Sequence, residues 1–183
     1  MRPLLALLFF AVCANAQAQY PWGYAPYPPS YAPYGGPYAP PVRGRSPASF
    51  TQAMLDAHNV IRARVGVPPL FWSTQLAEVA RDWAKHLITT GAFGHRPDNR
   101  YGENIYAISN GSASPAQVVG YWAEEARGYD IQRNTCSGVC GHYTQIVWRK
   151  TQAVGCVVAG DGRREVWVCN YDPPGNVIGY RPY

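Results

Sequence analysis

A proline-rich stretch between Tyr20 and Pro47 sets the first limit on what this chain of 183 residues can fold into. It repeats with a period of seven, in YAPYPPS, YAPYGGP and YAPPVRG. Prolines at this density fix φ and remove amide donors, so neither a heptad coiled coil nor a sheet can form there. We therefore predict an extended linker over residues 19–48 and a folded domain over residues 49–183. The linker is either a spacer or, through its tyrosines, an adhesive contact with a cell wall.

The first 18 residues have the organisation of a secretory signal peptide. Arg2 precedes an apolar run from Leu4 to Val12, which is too short to span a bilayer. Two overlapping small-residue sites, ANA and AQA, follow this run. We therefore predict that residues 1–18 are removed and that the mature protein is secreted to the extracellular space.

Charge and motif content exclude several classes of function. The formal net charge is +5, and the basic residues are scattered among acids, so no nucleic-acid-binding surface is predicted. Such a charge supports only a mild preference for anionic cell walls or membranes. The chain contains no G-x-S-x-G, no H-E-x-x-H, no phosphate-binding glycine loop and no dinucleotide fingerprint.

The folded part begins with helical patterns and ends with a strand pair. Apolar residues recur every three or four positions in three segments, which predict helices that begin near Ser49, after Ser73 and at Pro115. Beyond Thr151 the runs AVGCVVA and EVWVCNY are typical of strands, and the Asp-Gly between them favours a hairpin. Helices first and strands later predict an α+β fold rather than an alternating parallel sheet.

Four cysteines remain in the mature chain once Cys13 is removed with the signal peptide: Cys136, Cys140, Cys156 and Cys169. An even number in an oxidising compartment predicts two disulfides, for which three pairings exist. A structural zinc site is disfavoured because Cys136 and Cys140 have no second close pair to complete a Cys₄ set. The hairpin favours Cys156–Cys169 across its two arms, and Cys136–Cys140 can then close a small loop.

Four motifs, in order along the chain, resemble the signatures of the CAP superfamily, which groups cysteine-rich secretory, antigen 5 and pathogenesis-related group-1 proteins. They are HNVIR, GENI, GHYTQIVWRKT and VCNYDPPGNVIGYRPY. The resemblance covers residues 49–183 and is closest to the plant pathogenesis-related branch. It implies a three-layer α-β-α sandwich with a central antiparallel sheet and the same two disulfides. It also implies a short helix in HYTQIVW, where alternation of apolar residues alone favours a strand.

The resemblance further implies a cavity that holds two histidines and two glutamates. Matched motif by motif, these four residues are His95, Glu103, Glu125 and His142. Imidazole nitrogen and carboxylate oxygen suit Zn²⁺, so we expect a weak divalent-metal site in which His95 and His142 hold the ion. A hydrogen-bonded acid–imidazole cluster is one alternative, and zinc-dependent hydrolysis with Glu103 as base is another. Other residues of these motifs are assigned structural roles: His58, Asn59, Arg62 and Asn104.

We expect a binding protein rather than an enzyme, because no catalytic motif is present and the resembled family is generally non-enzymatic. The resemblance implies sterols or fatty-acyl lipids as ligands, in apolar grooves beside the helices, with a defence, antimicrobial or host-interaction role. It also implies another class of function, a precursor whose C-terminal peptide, Pro173 to Tyr183, is released as a signal. The alternative for that peptide is a tail packed on the core.

Overall fold

The computed structural model describes residues 47–183, and the predicted signal peptide and most of the predicted linker lie outside the described residues. No described helix is both long and apolar enough to cross a membrane. A single 3₁₀ turn, Glu124–Gly128, follows the third helix. The helices and strands are, in chain order, α1 (Pro47–Arg64), β1 (Phe71–Trp72), α2 (Thr74–Thr90), β2 (Gly102–Ser109), α3 (Pro115–Ala123), β3 (Tyr129–Asp130), β4 (Thr135–Cys136), α4 (Gly141–Ile146), β5 (Ala153–Gly160) and β6 (Arg164–Asp172).

The second and third helices begin at the capping residues that the sequence indicates. The Ser73 hydroxyl accepts a hydrogen bond from the amide of Leu76 at the start of α2, and Gly91 ends that helix with a φ of 73°. At the start of α3, Ser114 and Gln117 form a reciprocal capping box. Both predicted helices are therefore confirmed.

The central sheet has the strand order β1-β5-β6-β2. The pairs β5–β6 and β2–β6 are antiparallel, which confirms the predicted hairpin and the antiparallel arrangement of the three long strands. β1 adds a short parallel edge beside β5, through the pairs Phe71–Ala153 and Trp72–Val154. The sequence does not predict this edge, because a strand of two residues has no periodicity.

The sheet separates two hydrophobic cores. Val166 and Val168 of β6 pack with α2 on one side. Trp167, Cys169 and Tyr171 of the same strand pack with α1, α3 and α4 on the other side. Since successive residues of a strand point to opposite faces, β6 is buried on both of them. This arrangement is the predicted three-layer α-β-α sandwich.

Both predicted disulfides are present. Cys156 and Cys169 lie directly opposite each other in the β5–β6 ladder and are bonded. Cys136 and Cys140 are also bonded and close the short loop before α4. The local pairing predicted from the hairpin is confirmed.

The segment Gly141–Ile146 is helical, so the strand favoured by alternation is wrong and the short helix implied by the resemblance is confirmed. The residues from Tyr143 to Ile146 are all buried. Because this full turn of the helix is buried on every side, polar residues do not collect on one face, and the sequence lacks the period of an amphipathic helix.

Candidate functional site

The structure brings the four predicted cavity residues together as two hydrogen-bonded pairs. His95 Nδ1 lies 2.8 Å from Glu103 Oε1, and His142 Nδ1 is hydrogen-bonded to Glu125 Oε1. The centroids of the two imidazole rings are 6.5 Å apart. The pairs therefore form one site, which contains both histidines.

Four separate segments supply these side chains. His95 lies in the loop after α2, and Glu103 lies at the start of β2. Glu125 belongs to the 3₁₀ turn after α3, and His142 belongs to the first turn of α4. The site therefore exists only when the helical layers and the edge of the sheet are assembled.

Glu125 fixes both the start of α4 and the ring of His142. Its Oε2 atom accepts hydrogen bonds from the amides of His142 and Tyr143, at 2.9 and 3.2 Å. The first amides of a helix have no partner within the helix, and an anion there is stabilised by the helix dipole. Burial acts to raise the pKa of Glu125, but the imidazole of His142 and these amides outweigh it, and the pKa is lowered overall.

Glu103 is held by three donors. Its Oε1 atom accepts from His95 Nδ1 and from the amide of Arg96, and its Oε2 atom accepts from Asn99 Nδ2 at 3.3 Å. Asn99 Nδ2 is also 3.0 Å from Asn170 Oδ1 of β6, which ties the His95 loop to the sheet. The side chain of Glu103 is 4% exposed, whereas that of His95 is 60% exposed.

The hydrogen bond with Glu103 raises the pKa of His95, although partial burial acts in the opposite direction. The folded protein therefore binds this proton more tightly than the unfolded chain does. The resulting stabilisation is present at low pH and is lost as the pH rises through the raised pKa of His95. Its magnitude is limited because the ring is largely exposed to solvent.

His142 is positioned by two further contacts. Its ring stacks on the indole of Trp122 in α3, with centroids 5.9 Å apart and an interplanar angle of 19°. Asn104 Nδ2 of β2 donates to the carbonyl of His142 at 3.1 Å, so the predicted structural residue Asn104 acts directly beside the site. The sequence predicts no role for Asn99 or Arg96. Their only signal is their place in the polar segment that carries His95.

The arrangement leaves the same atom of each imidazole available for a ligand. Because carboxylates bind Nδ1 in both rings, the remaining nitrogen is Nε2, and no described residue is hydrogen-bonded to it. A carboxylate on Nδ1 orients a metal-binding histidine and increases its basicity. Two imidazole nitrogens that have no partner among the described residues are donors of the kind that suit a divalent ion.

A second group, His58 with Cys156 and Cys169, also has its potential ligand atoms within 4.8 Å of one another. The two sulfur atoms are bonded to each other and cannot act as thiolates. Both nitrogens of His58 are already used, since Nδ1 donates to the Met54 carbonyl at 2.7 Å and Nε2 accepts from the Tyr171 hydroxyl at 2.8 Å. Burial lowers the pKa of His58 to about 4, so the ring is neutral. This group is a structural cluster.

Two other predicted structural residues join α1 to its neighbours. Arg62 is buried and donates to four backbone carbonyls, those of Pro68, Ile146, Trp148 and Thr151. Asn59 accepts from the amide of Leu70 and donates to its carbonyl. These bonds attach α1 to the segment before β1, to the end of α4 and to the segment after α4.

A groove of about 500 Å³ lies beside α4, between the Cys136–Cys140 loop and the C-terminal tail. The large apolar residues that line it and are exposed to solvent are Val139, Val177, Ile178 and Tyr180. We call these four residues the apolar rim.

The tail itself is attached to the domain at several points. The amide of Gly175 donates to Gln145 Oε1 at 2.9 Å, and the carbonyl of Pro182 accepts from the amide of Arg149 at 2.7 Å. Pro182 is buried. The tail is therefore packed on the domain.

Comparison with known proteins agrees with this fold and these motifs. Residues 55–171 match the model of the CAP family, which is described as the cysteine-rich secretory protein family. Pathogenesis-related protein 1B of Nicotiana tabacum is 44% identical over 135 residues, which cover 72% of this chain and 80% of that protein.

Two solved structures are similar as well. Schistosoma mansoni venom allergen-like protein 4 has a TM-score of 0.60 and 27% identity, over 73% of this chain and 92% of that one. NaASP2, solved with Zn²⁺, has a TM-score of 0.63 and 25% identity, over 78% of this chain and 88% of that one. On its fold, its motifs and these relatives, the chain belongs to the CAP family.

Proposed function

We propose that this protein is a secreted, non-catalytic member of the defence-related branch of the family, and that it binds a divalent ion such as Zn²⁺ weakly. The observation that carries the metal proposal is the pair of imidazoles whose Nδ1 atoms are both held by carboxylates. The NaASP2 structure with Zn²⁺ supports it from a relative. The two disulfides support secretion, since such bonds persist in oxidising compartments.

Binding is favoured over hydrolysis by the way in which Glu103 is used. A catalytic zinc normally has three protein ligands and an open position, whereas this site offers two imidazoles. Glu103 already accepts from His95, Arg96 and Asn99, so it is poorly placed to act as the base for a bound water. We therefore infer a weak metal site that has no hydrolytic function.

The test of the metal site is calorimetric titration of the protein with Zn²⁺. His95→Ala and His142→Ala each remove most of the binding, because each deletes one of the two ligands. His86→Ala is the control, since His86 is exposed on α2 and stacks on Trp83. Equal losses in the His86 variant, or no binding by the unaltered protein, would exclude the proposed site.

A second pair of variants tests which glutamate orients His142. Glu125→Gln weakens zinc binding by about tenfold, the usual lower bound for loss of a carboxylate on a metal-binding histidine. Glu124→Gln leaves the affinity unchanged, because Glu124 instead pairs with Arg127 at the surface. Thermal unfolding of both variants separates a change in affinity from a change in stability.

The groove supports a second candidate function, the binding of a sterol or a fatty-acyl lipid. A volume of about 500 Å³ is within the range of small-molecule sites, and the apolar rim provides apolar contact surface. Titration with labelled sterol and fatty acid, with and without Zn²⁺, tests this function. We expect lipid binding to be saturable and to be retained when His95 and His142 are replaced by alanine. Failure to saturate with any lipid would exclude it.

Release of the C-terminal peptide is a third candidate. Asp172 and Pro173 are both exposed, so a protease can reach the bond between them. The contacts of Gly175 and Pro182 oppose departure of the peptide after cleavage. Mass spectrometry of the secreted protein from its source distinguishes a fragment from Pro173 to Tyr183 from an intact C-terminus.

A further inference from the structure

We propose that the apolar rim docks the protein on an anionic membrane surface. This inference rests on the lipid binding proposed above at the same groove. It adds the kind of surface that the groove contacts. Ile178 is 95% exposed and Val139 is 68% exposed, although both are large apolar residues. They belong to two separate segments, the Cys136–Cys140 loop and the tail, that meet at the groove. Clustered apolar exposure of this kind marks a contact surface.

The tail holds its apolar residues outward through defined hydrogen bonds. Asn176 accepts from the Thr144 hydroxyl at 2.6 Å and donates to the Gly141 carbonyl at 2.9 Å. The amide of Tyr180 donates to the carbonyl of Val177 at 3.1 Å, which closes the turn that carries Ile178. The exposed position of Ile178 is therefore fixed by the fold.

On the other side of the groove, the Cys136–Cys140 disulfide constrains the loop that carries Val139. Asn134 lies just before this loop. Its side-chain nitrogen Nδ2 donates a hydrogen bond to the carbonyl of Tyr180 at 3.3 Å. The two halves of the apolar rim are thus connected to each other. They can enter an interface together without first becoming ordered.

Three cations lie near the apolar rim. Lys150 Nζ lies 5.7 Å from the centroid of the Tyr180 ring, and Arg149 and Arg181 are exposed nearby in the fold. Among the described residues, none of these three cations forms an ion pair. Arg181 donates instead to the carbonyls of Ile131 and Gln132. None of the described residues that line the groove carries a carboxylate.

This combination favours an anionic bilayer over a protein partner. Apolar side chains can enter the boundary between headgroups and acyl chains, while lysine and arginine remain at the level of the phosphates. Each such cation near an anionic leaflet contributes about 1 kcal/mol. Tyrosine is enriched at the same boundary because one end of its ring is polar.

The test is co-sedimentation of the protein with phosphatidylcholine vesicles, prepared with and without phosphatidylserine. Binding is stronger to the vesicles that contain phosphatidylserine and weakens as salt is added. Ile178→Ser reduces binding by about tenfold, the effect of losing one buried apolar side chain. Lys150→Gln reduces binding about fivefold, and only to the anionic vesicles. Phe93→Ser and Lys85→Gln are the matched controls, since both residues are exposed and neither lines the groove.

Three outcomes would overturn the proposal. They are absence of binding to either vesicle, binding that Ile178→Ser leaves unchanged, and equal losses in the control variants. Light scattering across a range of protein concentrations checks the alternative of a self-contact. Dimers that Ile178→Ser abolishes would assign the rim to a second copy of the chain. Uptake of monomeric lipid without vesicle binding would retain the lipid function and exclude the docking role.

Discussion

Histidine takes opposite roles in this protein, and the surroundings of each ring decide which role it takes. The ring of His58 is buried between the Met54 carbonyl and the Tyr171 hydroxyl, and burial lowers its pKa to about 4. The ring of His95 is largely exposed beside Glu103, and that hydrogen bond raises its pKa. One histidine is thus kept neutral inside the core, and the other is ready to bind a proton or an ion at the surface.

The low pKa of His58 predicts acid destabilisation of the fold. Between the unfolded value of 6.5 and about 4, the unfolded chain binds this proton and the folded protein does not. Stability therefore falls as the pH is lowered through this window, by roughly 3 kcal/mol in all. Urea unfolding at several pH values measures this slope.

Two variants test whether His58 causes this dependence of stability on pH. In His58→Gln, stability at neutral pH is lower, and its decline between pH 6.5 and about 4 becomes shallower, since the titrating group is gone. In His86→Gln the slope is retained, because His86 is exposed. A His58 variant with the full slope would mean that another group causes the acid sensitivity.

At the residue level, the sequence identified which side chains lie in the site but not how they are used. The resemblance to the CAP superfamily was what placed His95 near His142 in the prediction. The choice of Nδ1 as the carboxylate-bound nitrogen depends on the position of Glu125 at the start of α4, which is a tertiary relation. The buried position of Arg62 depends in the same way on carbonyls far along the chain.

At the level of elements, the start of α2 lies very close to the strand β5. A Cβ atom added at Gly155 would lie 2.2 Å from the amide nitrogen of Ala77 and 2.5 Å from the carbonyl oxygen of Ser73. These are backbone atoms and cannot move aside as a flexible side chain can. The absence of a side chain at Gly155 therefore allows α2 to lie directly on the sheet.

Gly155→Ala is accordingly expected to destabilise the protein by at least about 3 kcal/mol, the upper part of the range for overpacking. The matched control is Gly120→Ala in α3, where an added Cβ meets nothing within 4 Å. That change should stabilise the protein by up to about 1 kcal/mol, because alanine is the better helix former. Thermal unfolding of the two variants measures both effects, and shifts of the same sign would contradict the packing argument.

The elements that sequence patterns predicted are those with a local cause. Ser73 and Ser114 each cap a helix through a hydrogen bond to a residue three positions away, so their effect is visible in the chain itself. Two elements have no such cause. α4 is helical although its last four residues, a full turn, are all buried, and β1 is a strand only because β5 lies beside it. Patterns of local period cannot identify either.

At the level of the whole molecule, we expect the two disulfides to stabilise the fold to different degrees. Cys156–Cys169 joins residues 13 apart, and Cys136–Cys140 joins residues 4 apart. In the chain-entropy model the longer loop stabilises by about 3 kcal/mol and the shorter by about 2 kcal/mol.

The corresponding double variants test this order. Replacing Cys156 and Cys169 together by alanine should lower the free energy of unfolding in urea more than the same replacement of Cys136 and Cys140. The loss of the first bridge also removes buried sulfur from the core, which adds to the difference. Equal losses would show that loop length does not determine the ranking.

The double burial of β6 has a consequence for the order in which the molecule exchanges its amide protons with solvent. β6 is hydrogen-bonded to β5 and β2 along its two edges and is covered on both faces. We therefore expect exchange in β6 to require global unfolding and to report the full stability of the fold. Among the described strands, β3 and β4 pair only with each other, through two residues each, so we expect them to exchange through local fluctuations. Deuterium labelling should therefore reach the small ribbon first and the central strand last.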